Sequence, residues 1–275
     1  MRGLHGTIKE LKQNKRALMA FNLQNLYQIT AASKISEEKK IPLIIQFSER
    51  YLRFLSQTYG IPYIIDKYRG EYTYFHLDHC DDLTFIKQCV DWGFDSVMYD
   101  GSAQIISENI KNTKIIKEYA ANKGCLVEGE LGKVAGVEDG FGTEGSSYAE
   151  SDEIDRYIKS TDIDLMALGI GNAHGFYQDL EGLDMTILKH ANSKFRDQFF
   201  VLHGGTGLPD TIIYEAIMYG VVKINLSSQI KKRTMEILIE YTKNYKSFDE
   251  ISFHKILVKE LGYLFDEYMN KFTKI

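Results

Sequence analysis

The sequence predicts an α/β chain folded as a (β/α)8 TIM barrel. Short, almost continuously apolar runs alternate with longer amphipathic segments, and eight such strand-helix units follow one another. Continuously apolar runs are typical of parallel strands whose two faces are both covered. The length of 275 residues also suits one barrel, since this fold typically takes about 250 residues. A doubly wound parallel sheet is the weaker alternative.

Each strand is predicted from an apolar run that ends in glycine or polar residues. The predicted strands are 17–22, 42–48, 73–79, 96–101, 125–131, 165–171, 199–205 and 221–227. Intervening segments such as 82–93, 108–124 and 210–220 end on glycine, as helices commonly do. A last amphipathic stretch, 253–272, predicts a helix packed outside the barrel or against a second subunit. No linker divides the chain, so we expect residues 1–275 to form one barrel domain with this C-terminal helical extension.

The charge balance argues against two classes of partner. The net charge is −5 and no basic block is present, so we expect neither nucleic acid nor a membrane surface as a partner. No apolar run reaches the roughly 18 residues of a membrane span, and the start lacks an apolar leader. These features predict a cytoplasmic protein. Its three cysteines, Cys80, Cys89 and Cys125, have no CxxC spacing and are interpreted as reduced, packed thiols.

Polar residues recur at the C-terminal ends of the predicted strands, where the chemistry of such barrels lies. They are Asn22, Ser48, Asp78, His79, Asp100, Glu128, Glu130, His174, His203, Asn225 and Ser227. Three of them, His79, His174 and His203, follow separate strands at one mouth. Three neutral imidazoles with an open fourth position are a catalytic zinc arrangement. The other four histidines, His5, His76, His190 and His254, are interpreted as surface or packing residues, His76 less clearly than the rest.

Glycine-rich stretches accompany two of these histidines. They are residues 169–177 and 203–207, and the segment 225–228 leads into a predicted helix. Glycine permits close approach of a ligand to the backbone, and the N–H groups at a helix start favour an anion. Phosphate sites in these barrels are often built by the loops after strands seven and eight. The stretches therefore predict a phosphate site, although glycines that only form turns would give the same pattern.

Taken together, these motifs resemble the class II fructose-bisphosphate and tagatose-bisphosphate aldolases. The resemblance runs in family order from about Phe21 to Ser228. Its blocks are HLDH (76–79), SVMYDGS (96–102), ENI (108–110), VEGELGKVAGVED (127–139), GIGNAHGFY (169–177), LHGGTGLPD (202–210) and VVKINLSS (221–228). The combination is far more specific than any single motif.

The resemblance implies a role for most of these residues. His79, His174 and His203 match zinc ligands, and Glu130 matches a glutamate that contacts the metal in an alternative position. Asp78 matches the acid/base for the C4 hydroxyl. Glu138, in the long loop 132–150, matches a glutamate that moves the C3 proton of dihydroxyacetone phosphate. Asn225 matches the residue that holds the enediolate. The phosphate cradle, which in some members also binds a sodium or potassium ion, is matched by Gly175, Gly204, Thr206, Ser227 and Ser228. We also predict that Asn22, Ser48 and Gly205 contact the substrate.

The chain departs from the family pattern at the distal end of the substrate. Gln178 stands where many members have a lysine that reaches the phosphate, and Gln229 where the fructose-bisphosphate subgroup has an acidic residue. No clear match exists for the arginine that holds the distal phosphate, although Lys232 and Arg233 lie nearby. These departures leave the metal and enediolate residues intact and put the aldehyde half of the substrate in question.

The leading hypothesis is therefore a zinc-dependent aldolase that cleaves fructose or tagatose 1,6-bisphosphate to dihydroxyacetone phosphate and glyceraldehyde 3-phosphate. The same chemistry on another ketose 1-phosphate is the second. A barrel that binds a sugar phosphate without catalysis is a third, and a zinc hydrolase a fourth that leaves 203–207 and 225–228 unexplained together. The family resemblance also predicts a homodimer or homotetramer with a small-molecule sugar phosphate as substrate.

Overall fold

The fold is that of a computed structural model, and it describes residues 3–138, 141–143, 147–175, 183–244 and 247–275. The strands are β1 (Leu18–Asn22), β2 (Leu43–Ser48), β3 (Thr73–Asp78), β4 (Ser96–Tyr99), β5 (Leu126–Leu131), β6 (Gly136–Glu138), β7 (Phe141–Thr143), β8 (Leu165–Leu168), β9 (Phe199–Leu202) and β10 (Val221–Leu226). The helices are α1 (Leu4–Gln13), α2 (Leu26–Lys39), α3 (Glu49–Thr58), α4 (Ile61–Tyr68), α5 (Leu83–Asp91), α6 (Ile106–Ala121), α7 (Ser151–Thr161), α8 (Met185–Lys194), α9 (Asp210–Met218), α10 (Ser228–Asn244) and α11 (Glu250–Phe272).

Eight parallel strands close into a barrel in the order β1-β10-β9-β8-β5-β4-β3-β2. Closure rests on the pairing of the first strand with the last, in which Leu18 lies opposite Lys223 and Ala20 opposite Asn225. The predicted (β/α)8 barrel is therefore confirmed, with all eight strands in the predicted places, and the doubly wound alternative is wrong. The C-terminal ends of all eight strands consequently meet at one mouth.

Alternate residues of each strand face the barrel interior, as the two-residue period of a strand requires. The interior changes character with depth. Its lower part is an apolar cluster that includes Leu18, Tyr74 and Leu126, and the helix α1 contributes Leu4 and Ile8 to the same cluster. Two and four residues beyond Tyr74 and Leu126, the buried side chains are polar: His76 and Asp78 on β3, Glu128 and Glu130 on β5. The helix α1 thus closes the lower end with apolar side chains, and the polar upper end stays available for chemistry.

The C-terminal helix α11 packs outside the barrel, as one of the two predicted alternatives states. Its Phe265 ring lies 4.6 Å from the Phe21 ring of β1, centroid to centroid. Just past the helix, the Thr273 hydroxyl donates a hydrogen bond of 2.8 Å to the Ala17 carbonyl. These contacts anchor the end of the chain against the first strand.

The structure adds elements that the sequence did not predict. The helix α1 precedes the first strand, and two helices, α3 and α4, occupy the short connection between β2 and β3. The predicted long loop 132–150 contains an antiparallel pair, in which Val137 of β6 lies opposite Gly142 of β7. This short hairpin was not predicted, because strands of three residues leave little trace in composition. Within the described residues, no helix is long and apolar enough to cross a membrane.

Candidate active site

Polar side chains from most of the barrel strands meet at the mouth. They are Asn22, Ser48, Asp78, Asp100, Glu130, His203 and Asn225. Several of their polar atoms are buried yet have no hydrogen-bond partner within the described part of the chain. These atoms are Oδ1 of Asn22, Oγ of Ser48, Oε2 of Glu130, Oδ1 of Asn225 and Oγ of Ser227. Buried polar atoms are almost always satisfied in native proteins, so this group points to a polar ligand at the mouth.

The three histidines predicted as metal ligands converge there. One ring nitrogen from each of His79, His174 and His203 lies within 4.8 Å of the other two. The His79 ring centroid is 4.6 Å from that of His203 and 5.2 Å from that of His174. The structure therefore brings together three residues that lie on separate loops, up to 124 positions apart in the sequence.

Hydrogen bonds at the outer nitrogens fix how two of these rings are oriented. Nδ1 of His79 donates to Oδ2 of Asp100 over 2.8 Å, and Nε2 of His203 donates to Oε1 of Glu128 over 2.7 Å. The remaining nitrogens, Nε2 of His79 and Nδ1 of His203, face each other at 2.8 Å. Each outer nitrogen donates its proton to a carboxylate, so two neutral rings would leave both facing nitrogens without a proton. Their separation of 2.8 Å therefore requires one additional proton, which the two nitrogens share.

The charges around the rings decide which of them carries that proton. Burial alone would lower the pKa of His79, but Asp78, the hydrogen bond to Asp100 and Glu130 together raise it to about 10. Burial and the neighbouring His79 hold the pKa of His203 well below its usual range. His79 is therefore the protonated ring at neutral pH, and its Nε2 proton lies between Nε2 of His79 and Nδ1 of His203.

This arrangement fits a metal ion with nitrogen ligands. A cation that replaces the shared proton would be bound by Nε2 of His79 and Nδ1 of His203, with His174 as the third nitrogen donor. Oε2 of Glu130 lies 4.0 Å from Nδ1 of His79 and 3.9 Å from Nδ1 of His203, and it has no hydrogen bond to any described residue. Three histidines with one open position are a catalytic zinc set.

The backbone around the histidines is specialised. His79, directly after β3, has a φ of 45°, a left-handed conformation that is uncommon outside glycine and is concentrated at functional sites. Asn172 links the loops of the other two ligands: its Nδ2 donates to the His203 carbonyl over 2.9 Å. The His174 N–H donates to the Ala135 carbonyl over 2.8 Å, so the segment that leads into β6 packs against a predicted ligand.

Asp78 lies beside the histidines and is held by two amides. Its Oδ2 accepts a hydrogen bond of 2.8 Å from Nδ2 of Asn22, and its Oδ1 accepts one of 2.9 Å from Nδ2 of Asn225. Burial alone would raise the pKa of Asp78, but His79, His203 and the Asn22 hydrogen bond lower it. Asp78 is consequently an oriented carboxylate that is ready to accept a proton.

The loops after β9 and β10 form a cradle suited to an anion. Gly204 has a φ of 67°, and a Cβ on Gly205 would lie only 3.0 Å from the Asn225 carbonyl oxygen. Thr206 and Ser227 are buried, and α10 begins at Ser228 directly behind the Ser227 hydroxyl. Free N–H groups at a helix start favour phosphate. The predicted phosphate-binding residues thus share one rim of the mouth.

Two further predicted site residues, Gly175 and Glu138, lie in the segments that follow β8 and β5. Gly175 follows His174 with a φ of 101°, which only glycine adopts readily. Glu138 ends β6, but its side chain lies outside the part of the chain that the structure describes, as does Gln178. The roles predicted for Glu138 and Gln178 stay predictions.

A second group of polar residues lies below the mouth, and only Glu128 of it was singled out from the sequence as a residue at a strand end. Glu128, Lys223 and His76 have no exposed surface, so His76 is buried, one of the two alternatives in its interpretation. A signal for them exists in the two-residue spacing of interior positions. Lys223 precedes Asn225 by two residues, as His76 precedes Asp78 and Glu128 precedes Glu130. Asp100 was noticed only as the end of a strand, and its contact with His79 shows it to be the partner of a candidate ligand.

A parallel barrel with three converging histidines and an anion cradle at its mouth is typical of metal-dependent enzymes that act on phosphorylated substrates. A model of the family described as fructose-bisphosphate aldolase class-II matches residues 3–274. The chain belongs to this family, the class II aldolases, which are carbon–carbon lyases.

The names of similar proteins contain two different substrates. The 6-phospho-5-dehydro-2-deoxy-D-gluconate aldolase of Bacillus subtilis (strain 168) is 34% identical over 227 residues, 81% of this chain and 78% of that protein. A fructose-bisphosphate aldolase of Staphylococcus epidermidis is 32% identical over 242 residues, 86% of this chain and 84% of that protein. Sequence similarity therefore establishes the family and leaves the substrate to be determined.

Solved structures agree on the fold. The YdjI aldolase of Escherichia coli K12 has a TM-score of 0.83 at 22% identity, covering 99% of this chain and 97% of that one. The fructose-bisphosphate aldolase of Campylobacter jejuni has a TM-score of 0.77 at 20% identity, covering 96% and 92%. At these identities the likeness shows the barrel architecture alone.

Proposed function

We propose that the chain is a zinc-dependent aldolase that reversibly cleaves a ketose 1,6-bisphosphate, fructose or tagatose, to dihydroxyacetone phosphate and glyceraldehyde 3-phosphate. The observation that carries the proposal is the convergence of His79, His174 and His203 beside the Asp78 carboxylate at one mouth. A hydrolase would need only a metal-bound water. The buried, unpaired oxygens of Asn22, Ser48 and Asn225 instead favour a polar substrate with several oxygen atoms.

Cleavage beside a ketone leaves an enediolate, whose charge must be stabilised. Zinc held by the three histidines would supply the Lewis acid that stabilises this charge. The residues of the chain do the rest. Asn22 and Asn225 hold Asp78 through their Nδ2 atoms, and we assign the free Asn225 oxygen to a hydroxyl of the enediolate. Asn22 and Ser48 would contact the sugar hydroxyls from the neighbouring strands.

Proton transfer is divided between two carboxylates in this proposal. Asp78 takes the proton of the C4 hydroxyl, the C4 oxygen becomes the aldehyde carbonyl, and the electron pair of the C3–C4 bond passes into the enediolate. Glu138 then returns a proton to C3, which completes dihydroxyacetone phosphate. The low pKa of Asp78 supports the first assignment, because an ionised carboxylate is needed at the start of cleavage.

The phosphate of the dihydroxyacetone half is assigned to the cradle after β9 and β10. The backbone of Gly204 and Gly205 permits close approach, and Thr206, Ser227 and Ser228 supply hydroxyl and helix-start N–H groups. Gly175 would approach the same phosphate from the loop after β8, and a sodium or potassium ion beside it would balance its charge. We also propose a single-domain subunit that assembles as a homodimer or homotetramer.

The aldehyde half of the substrate differs between the named relatives. The compound 6-phospho-5-dehydro-2-deoxy-D-gluconate ends in a carboxylate where fructose 1,6-bisphosphate ends in a phosphate, so both present an anion. Arg233, one of the cations considered for this end, is bound to Glu260 and Glu240. Arg53 is likewise bound to Glu49 and Asp82.

Arg50 is the better candidate for the distal anion. It is exposed in the first turn of α3, two residues after Ser48, at the mouth. Within the described ranges of the chain, its guanidinium has neither an ion pair nor a hydrogen bond. The buried Ser48 hydroxyl, two residues earlier in the sequence, also has no partner among the described residues. A cation at the same strand end as an unsatisfied hydroxyl suits a phosphate or carboxylate.

Arg50→Gln is therefore expected to raise the KM for glyceraldehyde 3-phosphate in condensation by about 10–100-fold, the loss of a charge-assisted hydrogen bond. Condensation kinetics with glyceraldehyde 3-phosphate, malonic semialdehyde and uncharged glyceraldehyde would measure it. Uncharged glyceraldehyde serves as the control, because its KM should not change. Equal effects on all three aldehydes would contradict a role for Arg50 at the distal anion.

The proposed function itself is tested by solvent deuterium exchange into dihydroxyacetone phosphate alone, followed by NMR. Exchange at C3 is expected with zinc, and it should disappear after chelation and return when zinc is restored. This half-reaction requires no knowledge of the aldehyde. Folded, zinc-loaded protein that exchanges no deuterium would speak for a silent sugar-phosphate binder and against the aldolase.

A further inference from the structure

A chain of polar side chains runs through the barrel interior beneath the candidate metal site. Oε1 of Glu128 accepts from Nε2 of His203 at 2.7 Å, and Oε2 of the same carboxylate accepts from Nζ of Lys223 at 2.9 Å. Nζ of Lys223 also lies 3.3 Å from Nε2 of His76, whose Nδ1 is 2.7 Å from the Ser96 hydroxyl. None of these side chains is exposed.

The hydrogen bonds among these buried side chains have one consistent assignment of donors and acceptors. A lysine ammonium only donates, so Nε2 of His76 must accept from it, and Nδ1 of His76 then donates to Ser96. An ionised Glu128 only accepts, so Nε2 of His203 must carry the proton between them. Nδ1 of His203 is left as a lone pair, and this is the nitrogen that faces His79 at the mouth.

A buried lysine-glutamate pair is not explained by stability alone. Apolar residues of similar size in the place of a buried ion pair are often neutral or stabilising, because two charges must be desolvated. Apolar packing already fills the layer below, where Leu126 precedes Glu128 by two residues. The pair lies directly under a candidate ligand and shares its carboxylate with that ligand. Its position therefore indicates a task at the metal site.

We propose that Glu128 and Lys223 are positioning residues for the metal site. Glu128 holds the Nε2 proton of His203, so that Nδ1 is presented to the metal. Lys223 holds the second carboxylate oxygen, which prevents Glu128 from rotating or changing partners. His76 completes the arrangement by accepting from Lys223 on its other side. This inference rests on the proposed metal site and adds two residues to it.

The decisive comparison is Glu128→Gln against the double variant Glu128→Gln/Lys223→Met. In the single variant, the amide oxygen stays with the Lys223 ammonium, so the amide NH2 faces His203. His203 must then move its proton to Nδ1, the nitrogen that should bind the metal. In the double variant, the amide is free to turn its oxygen toward His203 and restore the original tautomer. A second substitution is thus expected to repair the first.

Two readouts are measured on each protein. The zinc dissociation constant, from competition with a chromophoric chelator, should rise about 10–100-fold in the single variant, and most of this loss should be recovered in the double variant. The tautomer of His203, from ¹⁵N NMR of the metal-free protein, should change to Nδ1–H and back. If the ion pair were purely structural, the double variant would bind zinc no more tightly than the single variant.

A third variant keeps the test valid even if Glu128→Gln does not fold. Glu128→Leu/Lys223→Met removes both charges, as Glu128→Gln/Lys223→Met does, but offers His203 no acceptor. It should lose about 10–100-fold in zinc affinity relative to the glutamine double variant, at similar thermal stability. Equal affinities and equal tautomers in this pair would overturn the inference. If the wild-type protein bound no zinc, the proposed function would fail, and the tautomer measurement would still decide whether Glu128 orients His203.

Discussion

Asp78→Asn is expected to lower kcat for aldol cleavage by about 10²–10⁴-fold, the usual contribution of a positioned acid–base group. The substitution keeps the shape of the side chain and removes the carboxylate that accepts the C4 hydroxyl proton. Deuterium exchange at C3 of dihydroxyacetone phosphate should be largely retained, because that proton is assigned to Glu138. Steady-state cleavage assays and the NMR exchange assay, run on one preparation, measure the two steps separately.

The controls for this prediction lie close in the chain. Asp81→Asn makes the same change at an exposed carboxylate three residues further on and should leave both rates near the wild-type values. Glu138→Gln should lose exchange, and its steady-state cleavage should fall as well, because C3 must be protonated before dihydroxyacetone phosphate is complete. Zinc content must be equal in all proteins, because Asp78 also lies beside His79. If Asp78→Asn lost cleavage and exchange equally at full zinc content, the assignment of the C4 hydroxyl proton to Asp78 and of the C3 proton to Glu138 would be contradicted.

The barrel was predictable because its signal is local. Each buried parallel strand is a short apolar run, and the polar residue that ends it marks the mouth, as Asp78 and Asn225 do. The three histidines were recognised for the same reason, since each follows a strand. The hairpin of β6 and β7 was missed because three-residue strands carry too few residues for a periodic pattern.

The polar layer under the mouth was harder to predict from the sequence. Lys223 and Glu128 lie 95 positions apart and meet only because β10 and β5 face each other across a closed barrel. Their partnership depends on strand tilt and register, which no local pattern contains. A two-residue step down each strand from Asn225 and Glu130 identifies the positions but not the pairing. The sequence predicts which residues face the interior, and the closed barrel determines their partners.

Zinc affinity is expected to rise about tenfold per pH unit and by about 10³-fold between pH 6 and pH 9. The reason is the proton between His79 and His203. His79 holds it up to a pKa of about 10, because Asp78, Asp100 and Glu130 outweigh the effect of burial. The ring must lose this proton before Nε2 can bind a metal, so binding strengthens as the pH rises and levels off near the pKa.

Competition with a chelator of known pH dependence would give this slope, and calorimetry in buffers of different ionisation enthalpy would count the protons released. One proton per zinc is expected near pH 7, because burial and the His79 charge keep His203 neutral. Asp100→Asn is the matched variant: it retains an acceptor for Nδ1 of His79 but removes a charge that raises its pKa. Its pH dependence should therefore level off at lower pH. An affinity that stays constant from pH 6 to pH 9 in the wild-type protein would show that no proton is held between the two rings.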